Sequence, residues 1–525
     1  MALRKLPIGI QDFPRLRQEE YLYVDKTAFV HKLATEGSVY FLSRPRRFGK
    51  SLLLSTIGAY FEARKELFSG LAIERLEQDW IEYPVLRLDL NAEKYDSVRA
   101  LEGILESHVS RWEGRFGSAR DEGLARRFLG VIERAHEATG KRVVVLVDEY
   151  DKPLLQTIGK DELHEEYKNV LKAFYGVLKS ADAHLKFVLL TGVTKFGQVS
   201  VFSDLNQLMD LSLHQDYAAV CGITEPELLN NFRPELDEVA AKAGRSFEDS
   251  LVEVRRTYNG YRFHPEGPGV YNPFSTLNLL HRREFGGYWF ATGTPTFLVE
   301  LLKQADTDLR DLDGIEVPAT AFADYRLDAD RPLPVIYQSG YLTIQSYDAR
   351  YRLYRLGFPN AEVREGFLSF LLPSYTAQPS DRGGFHISKF SEELEAGDVE
   401  AFLKRLRCFF EKIPYDLNDR TERHYQVVFY LVFTLLGQFL HTELKSANGR
   451  ADAVVGTDTH VFVFEFKLNG TAEQALAQID DRGYAVPWQA DGRQVVKVGV
   501  EFDREARNLG RWLIQAGFDG AQSKG

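Results

Sequence analysis

The chain has 525 residues, 44% hydrophobic and 27% charged, enough for two to four domains with sizeable cores. Its net charge of −11 excludes a global basic field, so any nucleic-acid contact must be local or metal-assisted. Two cysteines, Cys221 and Cys408, exclude a disulfide framework and a structural zinc site and point to a reducing, cytoplasmic compartment.

The segment Met1 to Pro7 lacks the apolar core of a signal peptide, and the most apolar stretch, Val427 to Leu440, is too short to span a membrane, so no membrane association is expected. Residues 1–35 alternate turn signals with short apolar runs. Residues 36–210 then alternate strands, near 38–43, 84–90, 143–148 and 185–190, with helical patterns, the rhythm of a doubly wound parallel sheet.

The first of these strands runs into Arg44-Pro45-Arg46-Arg47-Phe48-Gly49-Lys50-Ser51 and then the helical run Leu52-Leu53-Leu54. Strand, Gly-Lys-Ser, helix is the context of a phosphate-binding loop. A helix N-terminus offers unpaired N–H groups and a partial positive charge to phosphate. In that reading Gly49 allows close approach, Lys50 reaches the β- and γ-phosphates and Ser51 ligates Mg²⁺. Arg44 stands where such loops usually begin with Gly, and the guanidinium groups of Arg44, Arg46 and Arg47 are candidate phosphate donors in compensation. The bland alternative is a basic turn that happens to contain Gly-Lys-Ser.

The strand ending in Val147-Asp148-Glu149-Tyr150-Asp151 puts paired carboxylates where open α/β sheets bind ligands. Asp148 is the candidate Mg²⁺ partner of Ser51, and Glu149 the group that polarises the attacking water. Thr191, closing the strand at 185–190, is a candidate sensor of the γ-phosphate; Asn206 is a weaker one. Asp89 and Asn91 close the remaining strand and are candidates to face the same crevice, although a strand-exit Asp-Leu-Asn is often only a turn.

From 211 to 375 helices and short turns take over. Tyr258 to Phe263 with Val270 to Phe274 reads as a small hairpin, and Tyr337 to Ile344 with Tyr351 to Leu356 as paired strands, giving a helical lid and a winged-helix-like module. Its interleaved aromatic and basic residues suit base stacking, although core packing is the commoner reason for such aromatics. Gln378 to Gly384 reads as a linker and Ser388 to Glu411 as helical.

The last hundred residues hold a second constellation. Asp452 lies in one short strand and Glu465 and Lys467 on one face of the next, so antiparallel pairing brings Asp452 beside Glu465. Paired carboxylates suit a divalent cation, and an adjacent lysine can orient or deprotonate water and stabilise charge on a scissile phosphate. Gln478, one turn into the helix that starts at Thr471, and Glu422, opening the preceding helix, are further candidates, Glu422 as a metal ligand or only as a helix N-terminal acid. Helix, three strands, helix, strand is the order of a restriction-endonuclease-like core.

Taken together, Leu6 to Phe13, Tyr23 to Thr27, Arg44 to Ser51, Val147 to Asp151, Tyr258 to Tyr261 and Glu465 to Lys467 make the chain resemble the bacterial and archaeal AAA-ATPase-like proteins with a C-terminal PD-(D/E)XK nuclease-superfamily domain. That family's loop has the same Arg-Pro-Arg-Arg-Phe-Gly-Lys-Ser form. The resemblance implies an α/β multidomain protein: a P-loop ATPase domain at 1–210, a helical and winged-helix-like region at 211–375, a linker and helix at 376–415 and a nuclease-like domain at 416–525. The expected cofactors are ATP and Mg²⁺, with Mn²⁺ an alternative at the nuclease site. The expected partner is nucleic acid, DNA rather than RNA, and a homo-oligomer is compatible with the sequence. An ATP-controlled nuclease is the leading expectation, and the domain pairing alone suggests a role in defence against foreign DNA or in mobile-element biology. The alternative is a signal-transducing ATPase whose C-terminal domain binds without cleaving; a P-loop kinase suits Asp148-Glu149 less well.

Overall fold

Four apolar runs build one parallel sheet. In the computed structural model these are β1 (Val39–Ser43), β2 (Val85–Asp89), β3 (Val143–Asp148) and β4 (Leu185–Gly192), joined at one edge by the two-residue β5 (Met209–Asp210). The structure describes residues 4–516 except 92–93, 119–122, 158–159, 196–206, 291–297, 299–300, 303–308, 323–331, 377–379, 414–421, 438–440, 445–451, 468, 490–491, 504 and 507. Asn206 therefore lies outside the described residues. The spatial order is β2-β3-β4-β1-β5, every pair parallel. β1 and β3 are buried on both faces, which is why their sequences are continuous apolar runs rather than alternating ones. Helices Val98–Phe116, Leu124–Thr139 and Asp161–Ser180 cover the sheet, with Phe128 stacked on Phe174 at 4.5 Å in the core that also holds Phe41, Val145 and Val188. β5 has no sequence signal, because two residues carry no periodicity.

The main division between the two compact units of the chain falls after Val363. In the first unit, β6 (Ile223–Thr224) leads into helix Glu225–Ala243, whose start is a capping box between Thr224 and Glu227. The expected hairpin is only partly formed. β7 (Val270–Tyr271) touches Tyr261 through a single bridge, and its strand partner is β6. The later strands pair as expected: β8 (Ile315–Val317), β9 (Thr343–Asp348) and β10 (Leu353–Gly357) form an antiparallel sheet in the order β8-β10-β9. Tyr337 and Gln338, read as strand, belong instead to helix Leu333–Gln338, whose Pro334 suits a first helical turn.

In the second unit the expected linker is in part helix, since Ser380–Glu395 is helical, and the helical segment beyond it is two helices rather than one. The break comes at Gly397, φ +77°, where an added Cβ would lie 2.8 Å from the His460 ring. Helix Val399–Glu411 packs Phe402 on Phe464 at 5.6 Å. After helix Glu422–Leu436 comes a five-stranded mixed sheet, β11 (His441–Leu444), β12 (Ala453–Gly456), β13 (His460–Lys467), β14 (Gln494–Asp503) and β15 (Asn508–Ala516), in that order. Only β13 and β14 are parallel, and helix Ala472–Asp481 makes the crossover between them. Among the described residues no helix is long and apolar enough to cross a membrane.

Candidate functional site

The loop after β1 opens into a cavity of about 340 Å³ at the C-terminal ends of the sheet strands, within the range of small-molecule sites. Gly49, φ +93°, caps helix Lys50–Phe61, so the free N–H groups of the first turn face this space. Arg46, Arg47, Lys50, Ser51 and Glu149 line its polar side, and Leu22, Val24, Phe232 and Leu277 lie on its apolar side. A polar loop at a helix start opposite an apolar wall fits a nucleotide's phosphates and base. Lys50 Nζ donates to the carbonyls of Arg44 at 2.9 Å and Pro45 at 3.2 Å, so its ammonium bridges the loop.

Arg44 corrects the sequence reading. Its guanidinium is buried and points into the fold: Nη1 donates to Ser43 O and Ser212 O, both at 2.9 Å, and Nη2 to Tyr217 O at 3.0 Å. The group also lies over the Phe263 ring at 4.0 Å, and burial pulls its pKa below the ordinary value. Arg44 is thus a brace under the loop rather than a phosphate donor. Arg46 and Arg47 remain at the cavity, Arg47 with its guanidinium 3.8 Å from the Phe274 ring centre.

β4 lies between β1 and β3, which puts Thr191 opposite both Leu42 and the end of β3. Thr191 Oγ1 donates to Asp148 Oδ1 at 2.8 Å and to Val147 O at 3.2 Å, and the residue is fully buried. Its hydroxyl reaches Asp148 rather than the cavity. Glu149 sits at φ +51°, a left-handed conformation costly for a residue other than glycine, and this turns it toward the cavity. Burial raises the Glu149 pKa above the ordinary carboxylate value, with the Lys50 charge opposing.

Three other residues at this site carried weaker signals. Asp151 is fully buried and accepts from Thr194 N and Thr194 Oγ1, both at 2.6 Å, and from Val193 N at 3.1 Å, tying the exits of β3 and β4 together. Lys26, inside the Tyr23 to Thr27 motif, donates to both Glu227 carboxylate oxygens at 2.7 Å and lines the cavity. Glu362 accepts from Ser275 Oγ at 3.1 Å and Trp289 N at 2.8 Å, and burial pushes its pKa up to about 7. Lys26 and Glu362 meet their partners only through tertiary packing. Asp151 was visible in Asp-Glu-Tyr-Asp but had no assigned part. Asn91 also lines the cavity, and Asp89 Oδ1 accepts its N–H at 2.8 Å.

The second constellation assembles in the C-terminal sheet. Asp452 Oδ2 accepts from Phe466 N at 2.9 Å, which holds this carboxylate against β13 beside Glu465. Lys467 Nζ lies 3.2 Å from Glu465 Oε1, and Gln478 bridges the pair, donating to Glu465 Oε1 while accepting from Lys467 Nζ. Glu465 is buried and Lys467 half-buried. Gln478 reaches them from helix Ala472–Asp481, started by a Thr471–Gln474 capping box. Two carboxylates on hard oxygens, with an ammonium beside them, fit a divalent cation such as Mg²⁺ or Mn²⁺. No group of three or more His, Cys, Asp or Glu side chains placed for a metal occurs among the described residues. The side chain of Glu422 lies outside them.

Comparison with known proteins agrees with this layout. Residues 7–202 match the model of a predicted AAA-ATPase, and residues 420–512 that of the PD-(D/E)XK nuclease superfamily. A protein of Azotobacter chroococcum mcd 1, described as an uncharacterized protein in the vnfD 5′ region, is 38% identical over 98% of this chain and 100% of its own length. The chain belongs to the family of AAA-ATPase-like proteins that carry a C-terminal PD-(D/E)XK nuclease-superfamily domain.

Proposed function

We propose that the chain binds and hydrolyses ATP at its N-terminal site and uses the nucleotide state to control a metal-dependent phosphodiesterase, with DNA as substrate, at Asp452, Glu465 and Lys467. The observation that carries this reading is the convergence of Lys467, Glu465 and Gln478 beside Asp452. We assign 1–210 to a P-loop domain, 211–375 to a helical and winged-helix-like region, 376–415 to a linker and helix, and 416–525 to a restriction-endonuclease-like core.

At the N-terminal site Lys50 exchanges the Arg44 and Pro45 carbonyls for β- and γ-phosphate oxygens, helped by Arg46, Arg47 and the first-turn N–H groups. Ser51 and Asp148 hold Mg²⁺, and Thr191 fixes the Asp148 carboxylate. Glu149 orients the attacking water and takes up its proton. At the C-terminal site Asp452 and Glu465 hold a divalent cation. When bound, that cation polarises the scissile phosphate. Lys467 stabilises the charge that develops on the phosphate, while Gln478 sets the position of its Nζ. Defence against foreign DNA is the biological setting this pairing suits.

The second reading, an ATPase whose C-terminal domain binds nucleic acid or a protein without cutting, is favoured by the net charge of −11. Plasmid incubated with Mg²⁺ or Mn²⁺, with and without ATP, separates the two. Wild type should nick or linearise it, Lys467→Ala should not, and Lys50→Ala should lose the response to ATP. ATP turnover without cleavage under any condition would leave only the second reading. Cleavage indifferent to Lys50→Ala would remove the control by nucleotide.

A further inference from the structure

The β9–β10 hairpin carries aromatic and basic side chains that its own fold does not use. β9 and β10 pair from Leu353↔Asp348 inward, leaving residues 349–352 as the connecting loop. Asp348 Oδ1 closes this loop by accepting from Arg350 N at 2.8 Å and Tyr351 N at 3.0 Å. At the tip Tyr351 is 62% exposed, and Tyr347 on the adjoining strand is 39% exposed. Arg350 lies over the Tyr351 ring at 5.2 Å. Tyr347 is braced from behind by Tyr354, with ring centres 4.5 Å apart, and Tyr354 packs in turn on Phe322 at 5.1 Å. An anchored ring with a solvent-facing side is a platform rather than a core residue.

Charge points the same way. At the hairpin tip stand two arginines, Arg350 and Arg352, beside the carboxylate of Asp348, in a chain of net charge −11, whereas Arg355 faces Glu316 of β8. Neither tip arginine forms an ion pair among the described residues, whereas Arg255 and Arg283 elsewhere in this unit pair with Glu225 and Glu238. Arg352 also holds φ +56°, a loop position where glycine would be less strained. A guanidinium is kept there against the backbone's preference.

We infer that the β9–β10 hairpin is a nucleic-acid contact that stacks unpaired bases on Tyr351 and Tyr347 and neutralises phosphates with Arg350 and Arg352. Aromatic rings at a basic ridge select single-stranded nucleic acid, because every base offers a π-face once it leaves the duplex. An acidic protein surface would meet the arginines but would leave the exposed rings unused. The inference rests on the proposed nucleic-acid substrate and names the element that grips it.

The test is fluorescence anisotropy with the full chain in EDTA, across a salt series, using labelled single-stranded and duplex oligonucleotides of equal length. Wild type should bind the single strand more tightly than the duplex. Arg350→Ala/Arg352→Gly should weaken binding at least tenfold and flatten the salt slope by about 1–2, as expected for two lost phosphate contacts. Tyr351→Ala should cost about tenfold with the salt slope unchanged. ATP turnover and Tm serve as folding controls and should stay at wild-type values; Arg352→Gly relaxes the loop rather than straining it. Wild-type affinity and slope in both variants would overturn the inference, as would absence of binding by the wild type, or polyglutamate competing as well as the oligonucleotide. Cleavage by the wild type with binding unaffected in the variants would remove the hairpin contact and leave the nuclease standing. Hairpin-dependent binding without any cleavage would do the reverse.

Discussion

Thr191 donates its hydroxyl to Asp148 Oδ1 at 2.8 Å, from one parallel strand to the next. In the proposed ATPase, Thr191 would act through this carboxylate as a positioning residue. Thr191→Val keeps the shape and removes the hydrogen bond, so ATP kcat should fall about tenfold or more while KM changes little. Thr191→Ser should restore most of the rate. Steady-state ATPase kinetics check both, and a stability loss of about 1–2 kcal/mol in urea is expected for Val.

Glu149 should set the acid limb of the ATPase pH profile. Its carboxyl must be ionised to take a proton from water, and burial raises its pKa. The rate should therefore decline, as pH falls, at a pH above the ordinary carboxylate range. Glu149→Gln should still bind ATP but lose about 10²-fold or more in turnover. A profile whose acid limb lies at or below the ordinary carboxylate value would contradict this assignment.

Arg44 is expected to matter for stability before it matters for nucleotide. Arg44→Met would leave the carbonyls of Ser43, Ser212 and Tyr217 without their guanidinium donor, at a cost of about 3 kcal/mol or more. Arg44→Lys should rescue only part of this, since one ammonium cannot reproduce the planar fork. Denaturant unfolding of the two variants measures it.

Glu362 makes the stability of its unit depend on pH. With the folded pKa raised to about 7 from an ordinary value of 4.5, the folded chain keeps a proton that the unfolded chain has lost. The stabilisation is complete below the unfolded pKa and disappears as pH rises toward 7, an effect of about 3 kcal/mol. Glu362→Gln should abolish that slope and stabilise the protein at pH 8, because the amide oxygen can still accept from Ser275 and Trp289. Urea unfolding between pH 5 and 8 shows the difference.

Gln478 is expected to tune the C-terminal site without touching the cation. Gln478→Ala removes the amide that bridges the Lys467 ammonium and Glu465 Oε1, and should reduce cleavage and apparent Mg²⁺ affinity by about 10–100-fold. Metal titration of the cleavage rate reads both quantities.

Much of this could be read from residue order because the decisive signals are local. Gly49-Lys50-Ser51 needs only a strand before it and a helix after it, and β3 announces itself as an apolar run ending in Asp148-Glu149. Asp452, Glu465 and Lys467 follow from strand alternation and one turn. Arg44 reads as a phosphate donor from its place in the loop, whereas its partners, Ser212 and Tyr217, come after β5 in the chain. The helix break at Gly397 depends on His460 in a different strand, and β5 and β15 depend on neighbours already in place. Local pattern carries little of such information.

The placement of β4 between β1 and β3 bears on synthesis of the chain. A ribosome releases β1, β2 and β3 before any residue of Leu185–Gly192, so until then β1 and β3 have no strand to join them and each keeps an open hydrogen-bonding edge. The central strand is thus a late arrival, and the sheet closes only when it slots in. Nascent chains halted before Leu185 should be captured by chaperones or aggregate, whereas those extended past β5 should resist protease.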